Sequence, residues 1–483
     1  MATPIGSNRA RLDARAAAEA TRGRAVRLTP GREAVGVTTD SRAVNPGCAF
    51  VALRGETHDG HGFLPAAMDA GAILVVAERG RAPVDARADA VEVDDTLVAW
   101  GRLASAHLQG WRAARPDACV VAITGSAGKT TTKELCAALL RAVAPCLASA
   151  GNLNNRVGMP AVAMQVEPEH RFAVLEMGMS VPGEIAALAA IAPPDVAVIT
   201  NVGLAHAGGV GGTLEAVAAE KGALFAGVRP GGVIVANADD AAVMTQTRRA
   251  PAGVRVATFG RAEGAHYRLR ERQPLGASGS RVVVERPGQP ALVTTLPIPG
   301  EAAAIDMVAA IAAAEAATGR ALAVEAALAG LPPIEGRMRV RLAGDVQVID
   351  DAYNANPASM RAALAALAEM DGARRVAVLG EMKELGSVAE REHEALGTAV
   401  AQAGVKLLVS CGGLADAIAR VAAAAGVEVV RTASAEEAAR TTAERVRPRD
   451  VVLVKASRSV GAERVVEALV RREPVRRGPG EVA

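Results

Sequence analysis

The segment Thr124-Gly125-Ser126-Ala127-Gly128-Lys129-Thr130-Thr131-Thr132 decides the reading of this 483-residue chain. It follows a short apolar run, Ala118–Ile123, and opens a helical pattern over about Lys129–Val143. A buried strand, a glycine turn and a helix start are the setting in which backbone N–H groups converge on phosphate oxygens. The glycines permit that backbone path, and the helix N-terminus adds partial positive charge. Lys129 is placed to reach β- and γ-phosphates, and Thr130 to ligate Mg²⁺. The spacing is G-x-x-G-K-T, shorter than the common form, because Ile123 stands where a first glycine would be. Gly125, Ser126, Ala127, Gly128, Lys129, Thr130 and Thr131 are the expected phosphate site.

Outward from this loop, Ala173–Met177, Val196–Thr200 and Val233–Ala236 are further short apolar runs separated by helical patterns. Alternation of this kind predicts an α/β unit with a largely parallel sheet. Arg281–Glu285 and Ala291–Leu296, joined by a Pro-Gly turn, read as an antiparallel hairpin, followed by a helix over Ala304–Ala317. Breaks at Arg115-Pro116 and Leu331-Pro332-Pro333 divide the chain into 1–115, 116–333 and 334–483. Before the first break the chain reads as a helix over 12–22, then a mostly irregular stretch to about Arg79. That stretch holds strand-like pieces at Cys48–Leu53 and Ile73–Val76, and a helix over about Thr96–Ala113 follows it. After the second break, Val346–Asp350, Arg375–Leu379, Lys406–Ser410 and Val451–Lys455 read as strands of a doubly wound, Rossmann-like unit. Helices at about Ser359–Met370, His393–Ala403 and Glu463–Val470 lie among them. The expected fold class is therefore α/β in three domains, in line with ~150 residues per domain.

Composition narrows the function classes. Lys+Arg number 54 and Asp+Glu 52, a near balance that does not suit a general nucleic-acid or membrane-surface binder. Aromatic residues make up 2%, too few for a base-stacking platform. Cys48, Cys119, Cys136, Cys146 and Cys411 are scattered and odd in number, as expected of buried thiols in a reducing compartment. No signal-peptide pattern and no apolar run of membrane-spanning length is present, so a cytoplasmic protein is expected.

Several polar residues sit beyond predicted strand ends, where α/β proteins bind ligands. Glu176 either holds a Mg²⁺ that bridges phosphates or forms a rim salt bridge. His206 is either a metal ligand or structural, and an isolated helix lysine such as Lys221 is usually solvated. Asn152, Asn154 and Asn155 either bind phosphate or carbonyl oxygens or cap turns. Asp350-Asp351-Ala352-Tyr353-Asn354-Ala355-Asn356-Pro357 offers paired carboxylates for a ribose or cation, or else a turn and cap. Lys455-Ala456-Ser457-Arg458-Ser459 clusters cations and hydroxyls suited to an anionic group.

These residues, in this order, resemble the Mur ligase family. Thr38-Thr39-Asp40-Ser41-Arg42, Phe50–Gly55 and Asp59-Gly60-His61 are similar to its UDP-sugar-binding domain. Thr124–Thr132, Gly151–Asn155, Glu176-Met177-Gly178, His206 and Glu220-Lys221-Gly222 are similar to its ATPase domain. Gly336-Arg337, Asp350–Pro357, Leu379–Gly386 and Val454–Ser459 are similar to its C-terminal domain. Asp351–Pro357 and Gly380-Glu381-Met382-Lys383-Glu384-Leu385-Gly386 resemble the branch that adds D-alanyl-D-alanine. The D-N-P-R of the third-residue-adding branch is absent.

The resemblance implies ATP-dependent ligation of D-alanyl-D-alanine to UDP-N-acetylmuramoyl-tripeptide through an acyl phosphate, in peptidoglycan precursor synthesis. It implies ATP contacts by Asn152, Asn155, Arg337 and Asp351 besides the loop. Two Mg²⁺ are implied, with Thr130 and Glu176 on one and His206 on the other, joined by Lys221 if carbamylated. Lys129, Glu176, His206 and Lys221 then carry the catalysis. Ser41, Arg42, Asp59, Gly60 and His61 would bind the UDP substrate. Tyr353, Asn354, Asn356, Lys455, Ser457 and Arg458 would bind the acceptor and peptide. The expected partners are these small molecules, with no nucleic acid and no membrane span, and the expected state is a monomer. Where the family helix after Pro299-Gly300 often carries His and Asn, this chain reads Glu301-Ala302-Ala303-Ala304-Ile305-Asp306. Alternatives are a ligase adding another amino acid and an ATPase switch that needs no amine acceptor.

Overall fold

The computed structural model describes residues 6–55, 58–83, 87–205 and 207–471. Among the described residues, three large sheets and a two-stranded pairing of Arg11–Leu12 with Ala34–Val35 organise the chain. The central one has nine strands, in the order Leu292–Leu296, Ser280–Glu285, Tyr267–Pro274, Arg255–Gly260, Val233–Asn237, Val196–Ile199, Cys119–Thr124, Phe172–Glu176, Cys146–Ala148. The seven from Tyr267–Pro274 onward pair parallel, and the first two form the antiparallel hairpin expected from the Pro-Gly turn.

Cys119–Thr124 shows why its sequence is apolar without alternation. Val120 and Ala122 enter the core on one face of the sheet, and Cys119, Val121 and Ile123 enter the core on the other. A strand covered on both faces must be apolar throughout. Helix Lys129–Arg141 packs beside helix Glu301–Thr318, whose alanines permit close approach. That second helix buries Met307, Val308 and Ile311 completely. Truncating Met307 or Ile311 to alanine would cost about 2–5 kcal/mol.

The C-terminal sheet has six strands, in the order Arg339–Ala343, Val346–Asp350, Asp450–Lys455, Arg374–Gly380, Leu407–Cys411, Glu428–Thr432, with only the first antiparallel. The N-terminal region, read as mostly irregular, instead carries a five-stranded sheet in the order Arg24–Arg27, Asp89–Val93, Leu74–Glu78, Ala49–Val51, Val37–Thr38. Its strands run two to five residues, too short for their periodicity to stand out. The breaks at 115/116 and 333/334 fall between the three sheets. All five cysteines are free and buried. Among the described residues, no helix is long and apolar enough to cross a membrane.

Candidate active site

The glycine turn is shaped by its neighbours. Gly125 and Gly128 have φ of 157° and 80°, and a Cβ at either would overlap Thr200 Oγ1 or the Asp306 carboxylate. Only glycine fits both the backbone and the space. Residues beyond strand Val196–Ile199 fasten the loop from below. Asn201 Oδ1 accepts from Ala127 N at 2.9 Å, Thr200 Oγ1 donates to Ala127 O at 2.5 Å, and Asn201 O accepts from Ser126 N at 3.0 Å. Thr200 and Asn201 were not singled out in the sequence, because their part depends on strand adjacency. Lys129 lies curled back, its Nζ donating to Gly125 O at 2.7 Å, and burial pushes its ammonium pKa down.

Glu176 ends the neighbouring strand and is buried. Its Oε2 accepts from Thr130 Oγ1 at 2.9 Å and its Oε1 from Asn154 Nδ2 at 2.8 Å; its backbone N donates to Ser149 Oγ at 3.0 Å. The rim salt bridge is thus not what holds this carboxylate: its hydrogen-bond partners are neutral. Arg337, from the C-terminal sheet's leading turn, donates to Thr130 Oγ1 at 3.2 Å. Two hard oxygen donors, one anionic, stand side by side at the phosphate loop, a set that suits Mg²⁺. Asn154 thus contacts Glu176 directly, whereas Asn155 Oδ1 caps the next helix by accepting from Gly158 N at 2.8 Å and Val157 N at 3.1 Å. Asn152 is exposed in the same loop.

Lys221 reverses the solvated reading. It is 1% exposed, and desolvation drives its ammonium pKa well below that of an ordinary lysine, with Lys129 adding to the effect. His206 lies outside the described residues.

Two cavities flank the loop. The first, about 360 Å³, is lined by Ser126–Thr131, Arg337, Asn354–Asn356, Lys383, Glu384 and Ser457–Ser459 among others. Asn356 bridges the two domains there, its Nδ2 donating to Ser126 O at 3.1 Å. The second, about 170 Å³ and more apolar, lies between Ile298–Gly300, Ala302, Ala303, Asp306, Met338, Asp351, Ala362 and Lys455. Burial pushes the Asp306 carboxyl well above the usual aspartate range.

Lys455 was expected at the acceptor but opens onto the second cavity. Its Nζ is buried against Asp351 Oδ2 at 2.5 Å and Asn354 O at 2.9 Å. A lysine so enclosed needs a carboxylate partner, and Asp351, 104 residues away, supplies it. Tyr353, by contrast, is absent from the lining of both cavities.

In the N-terminal domain, a third cleft of about 180 Å³ is lined by Ser7, Asn8, Gly36, Thr38, Arg42 and Asn45, among others. Of the five residues expected to bind the UDP substrate, Arg42 alone lines it. His61 is buried with both ring nitrogens engaged, Nδ1 with Asp59 at 2.7 Å and Nε2 accepting from Glu78 N at 2.9 Å. A Cβ on Gly60 would overlap the Leu53 backbone, so this glycine serves the loop. Asp59 is paired with Arg81, which holds its carboxyl well below the usual range. Ser41 opens the turn capped by Asp40, away from the cleft lining.

Comparison with known proteins gives concordant matches. Three family models match: "Mur ligase family, catalytic domain" over residues 33–108, "Mur ligase middle domain" over 123–314, and "Mur ligase, glutamate ligase domain" over 336–458. The chain is 34% identical over 441 residues to the UDP-N-acetylmuramoyl-tripeptide–D-alanyl-D-alanine ligase of Synechocystis, covering 91% of this chain and 92% of that one. It is 35% identical over 434 residues to the ligase of the same name from Escherichia coli, covering 90% and 93%. A crystal structure of MurF from Acinetobacter baumannii superposes with a TM-score of 0.86 at 30% identity, covering 97% of this chain and 100% of that one. The MurF ligase of Thermotoga maritima, solved with ADP, superposes with a TM-score of 0.79 at 29% identity, covering 90% and 97%. A lysine-bearing phosphate loop, a buried carboxylate beside it and a C-terminal sheet closing over both accord with these matches, and the chain belongs to the Mur ligase family.

Proposed function

We propose that this chain joins the amine of D-alanyl-D-alanine to the terminal carboxylate of UDP-N-acetylmuramoyl-tripeptide at the expense of ATP. The observation that carries the reading is the first cavity. It brings Lys129, Thr130 and Arg337 of the phosphate side together with Asn354, Asn356, Lys383, Ser457 and Arg458 of the C-terminal domain. Residues 1–115 hold the UDP-sugar, with Arg42 and its cleft neighbours Thr38, Asn8 and Asn45 as contacts. Residues 116–333 hold ATP, and 334–483 complete the nucleotide and acceptor sites. The reaction is cytoplasmic, as its soluble substrates require, and one chain contains every group invoked, so a monomer suffices.

The electrostatic problem is that a carboxylate must approach a triphosphate. Lys129 and Arg337 set two cations against the phosphates. Thr130 and Glu176 would hold a Mg²⁺ there, which supplies further charge neutralisation at the transferred phosphoryl group. The tripeptide carboxylate attacks the γ-phosphorus, the bond to ADP breaks, and an acyl phosphate forms. The neutral amine of the dipeptide then attacks the acyl carbon. A C–N bond forms, inorganic phosphate leaves, and the amine proton is lost. Asn354, Ser457 and Arg458 orient the acceptor for that attack. Burial of Lys221 favours its free amine over the ammonium, and the free amine is the form that combines with CO₂. Its carbamate would add the anionic oxygens that a second Mg²⁺ needs, with His206 as the further ligand that the family resemblance implies. Asp306 and Asp351 border the cavity for the base and ribose.

An acceptor panel tests this reading. With ATP and UDP-muramoyl tripeptide present, phosphate release should need D-alanyl-D-alanine. Turnover only with glutamate, lysine or diaminopimelate, or turnover with no amine at all, would overturn it.

A further inference from the structure

Tyr353 was expected to touch the acceptor, yet it lines neither cavity. Its ring is instead covered by two guanidiniums, with Arg337 Cζ at 4.3 Å and Arg458 Cζ at 5.1 Å from the centroid. We propose that Tyr353 is a positioning residue whose ring holds Arg337 and Arg458 together and so ties the phosphate side of the cavity to its acceptor side. The ligands named for the two sides rest on the function proposed above; the arrangement does not.

The local backbone builds this arrangement. Strands Val346–Asp350 and Asp450–Lys455 are parallel neighbours, with Asp350 paired to Val454. Tyr353 and Arg458 therefore leave adjacent strand ends on the same rim. Gly336, at φ 64°, lies so close to Tyr353 that a Cβ there would stand 2.9 Å from the Tyr353 Cβ, and its carbonyl accepts from Tyr353 N at 3.3 Å. The next residue, Arg337, is thereby laid over the ring and delivers its Nη2 to Thr130. Two cations gathered at one ring would ordinarily repel. The negative face of an aromatic ring attracts both. Both guanidiniums line the first cavity, and the ring behind them does not.

The effect is on two affinities at once. Losing one such contact, worth about 1.4 kcal/mol, weakens binding roughly tenfold. Tyr353→Leu should therefore weaken ATP binding roughly tenfold in calorimetry without acceptor, and should raise KM for D-alanyl-D-alanine by a similar factor. Tyr353→Phe, which keeps the ring face and loses the hydroxyl, should recover most of both losses. Tyr353→Met fills similar space without a ring face and stands in for leucine if that variant fails to fold; the same outcome is expected. A ringless variant that binds ATP and dipeptide within about twofold of the parent overturns the proposal, as does a phenylalanine variant as weak as leucine. Wild-type protein that shows no dipeptide-dependent turnover would sink the ligase reading instead, and the calorimetric comparison would still decide the role of Tyr353.

Discussion

Replacing Glu176 by glutamine separates chemistry from folding at this site. The carboxylate is 2% exposed and accepts from Thr130 Oγ1 at 2.9 Å and Asn154 Nδ2 at 2.8 Å. A glutamine of the same shape accepts from Asn154 with its oxygen and donates to Thr130 with its amide, so both contacts survive. Exchanging charged for neutral hydrogen bonds costs about 1 kcal/mol. Removing a buried charge returns a similar amount. The two nearly cancel, and the melting temperature should move by no more than about 4 °C. Catalysis has no such compensation, because the anionic donor for a cation beside the transferred phosphoryl is gone. The loss should reach about 10²–10³ in kcat, the scale of one preorganised electrostatic group. Thermal melts and phosphate release across a Mg²⁺ titration measure both sides. A stable variant retaining more than about a third of parental kcat at ordinary Mg²⁺ would refute the placement of the cation. A collapse in melting temperature would show Glu176 to be a structural residue.

Three further outcomes follow from buried charges. Lys221→Ala should abolish turnover, and short carboxylic acids that can occupy the vacated space should restore part of it; full activity without rescue would remove the carbamate from the account. Asp306→Asn bears on stability through pH. Burial raises the Asp306 pKa in the folded chain, so its ionisation opposes folding, and the penalty grows as pH rises above the ordinary aspartate value of 3.8 toward the raised one. The asparagine variant should melt higher than the parent near pH 7 and alike near pH 3.5; equal melts at both would show that the carboxyl is not desolvated. Lys455→Met strands Asp351 in the interior and should destabilise the C-terminal domain by about 3–5 kcal/mol, with Asp351→Asn in the same chain recovering much of it. A single variant as stable as the parent would mean that the pair is open to water.

Continuous apolar strands made the central sheet legible, and the glycine turn with its lysine was unambiguous from spacing. Polar, half-exposed strands were not. Arg255–Gly260 exposes Arg255 and Val256, Tyr267–Pro274 exposes Arg270 and Glu271, and Glu428–Thr432 is an edge strand. Helices Ala415–Ala424 and Ala435–Arg445 were missed as well, their alanine faces giving little contrast with the surrounding alanine-rich sequence. At the site, strand-end position identified Glu176, but Thr200 and Asn201 matter through a neighbouring strand 70 or more residues from the loop. The burial of Lys221 and the Lys455–Asp351 pair are tertiary facts: an isolated helix lysine reads as solvated, and partners 104 residues apart leave no local signal. His61 and Gly60 read as binding residues by resemblance, and the hydrogen bonds and close contacts by which they also hold their own loop have no local sequence signal.

The central claim is that the tripeptide's own carboxylate is activated by phosphoryl transfer before the dipeptide attacks. Tripeptide labelled with ¹⁸O in that carboxylate, turned over with ATP and D-alanyl-D-alanine, should yield inorganic phosphate carrying one labelled oxygen for each C–N bond formed. Unlabelled phosphate accompanying normal product would contradict an acyl phosphate and the role assigned here to the phosphate loop.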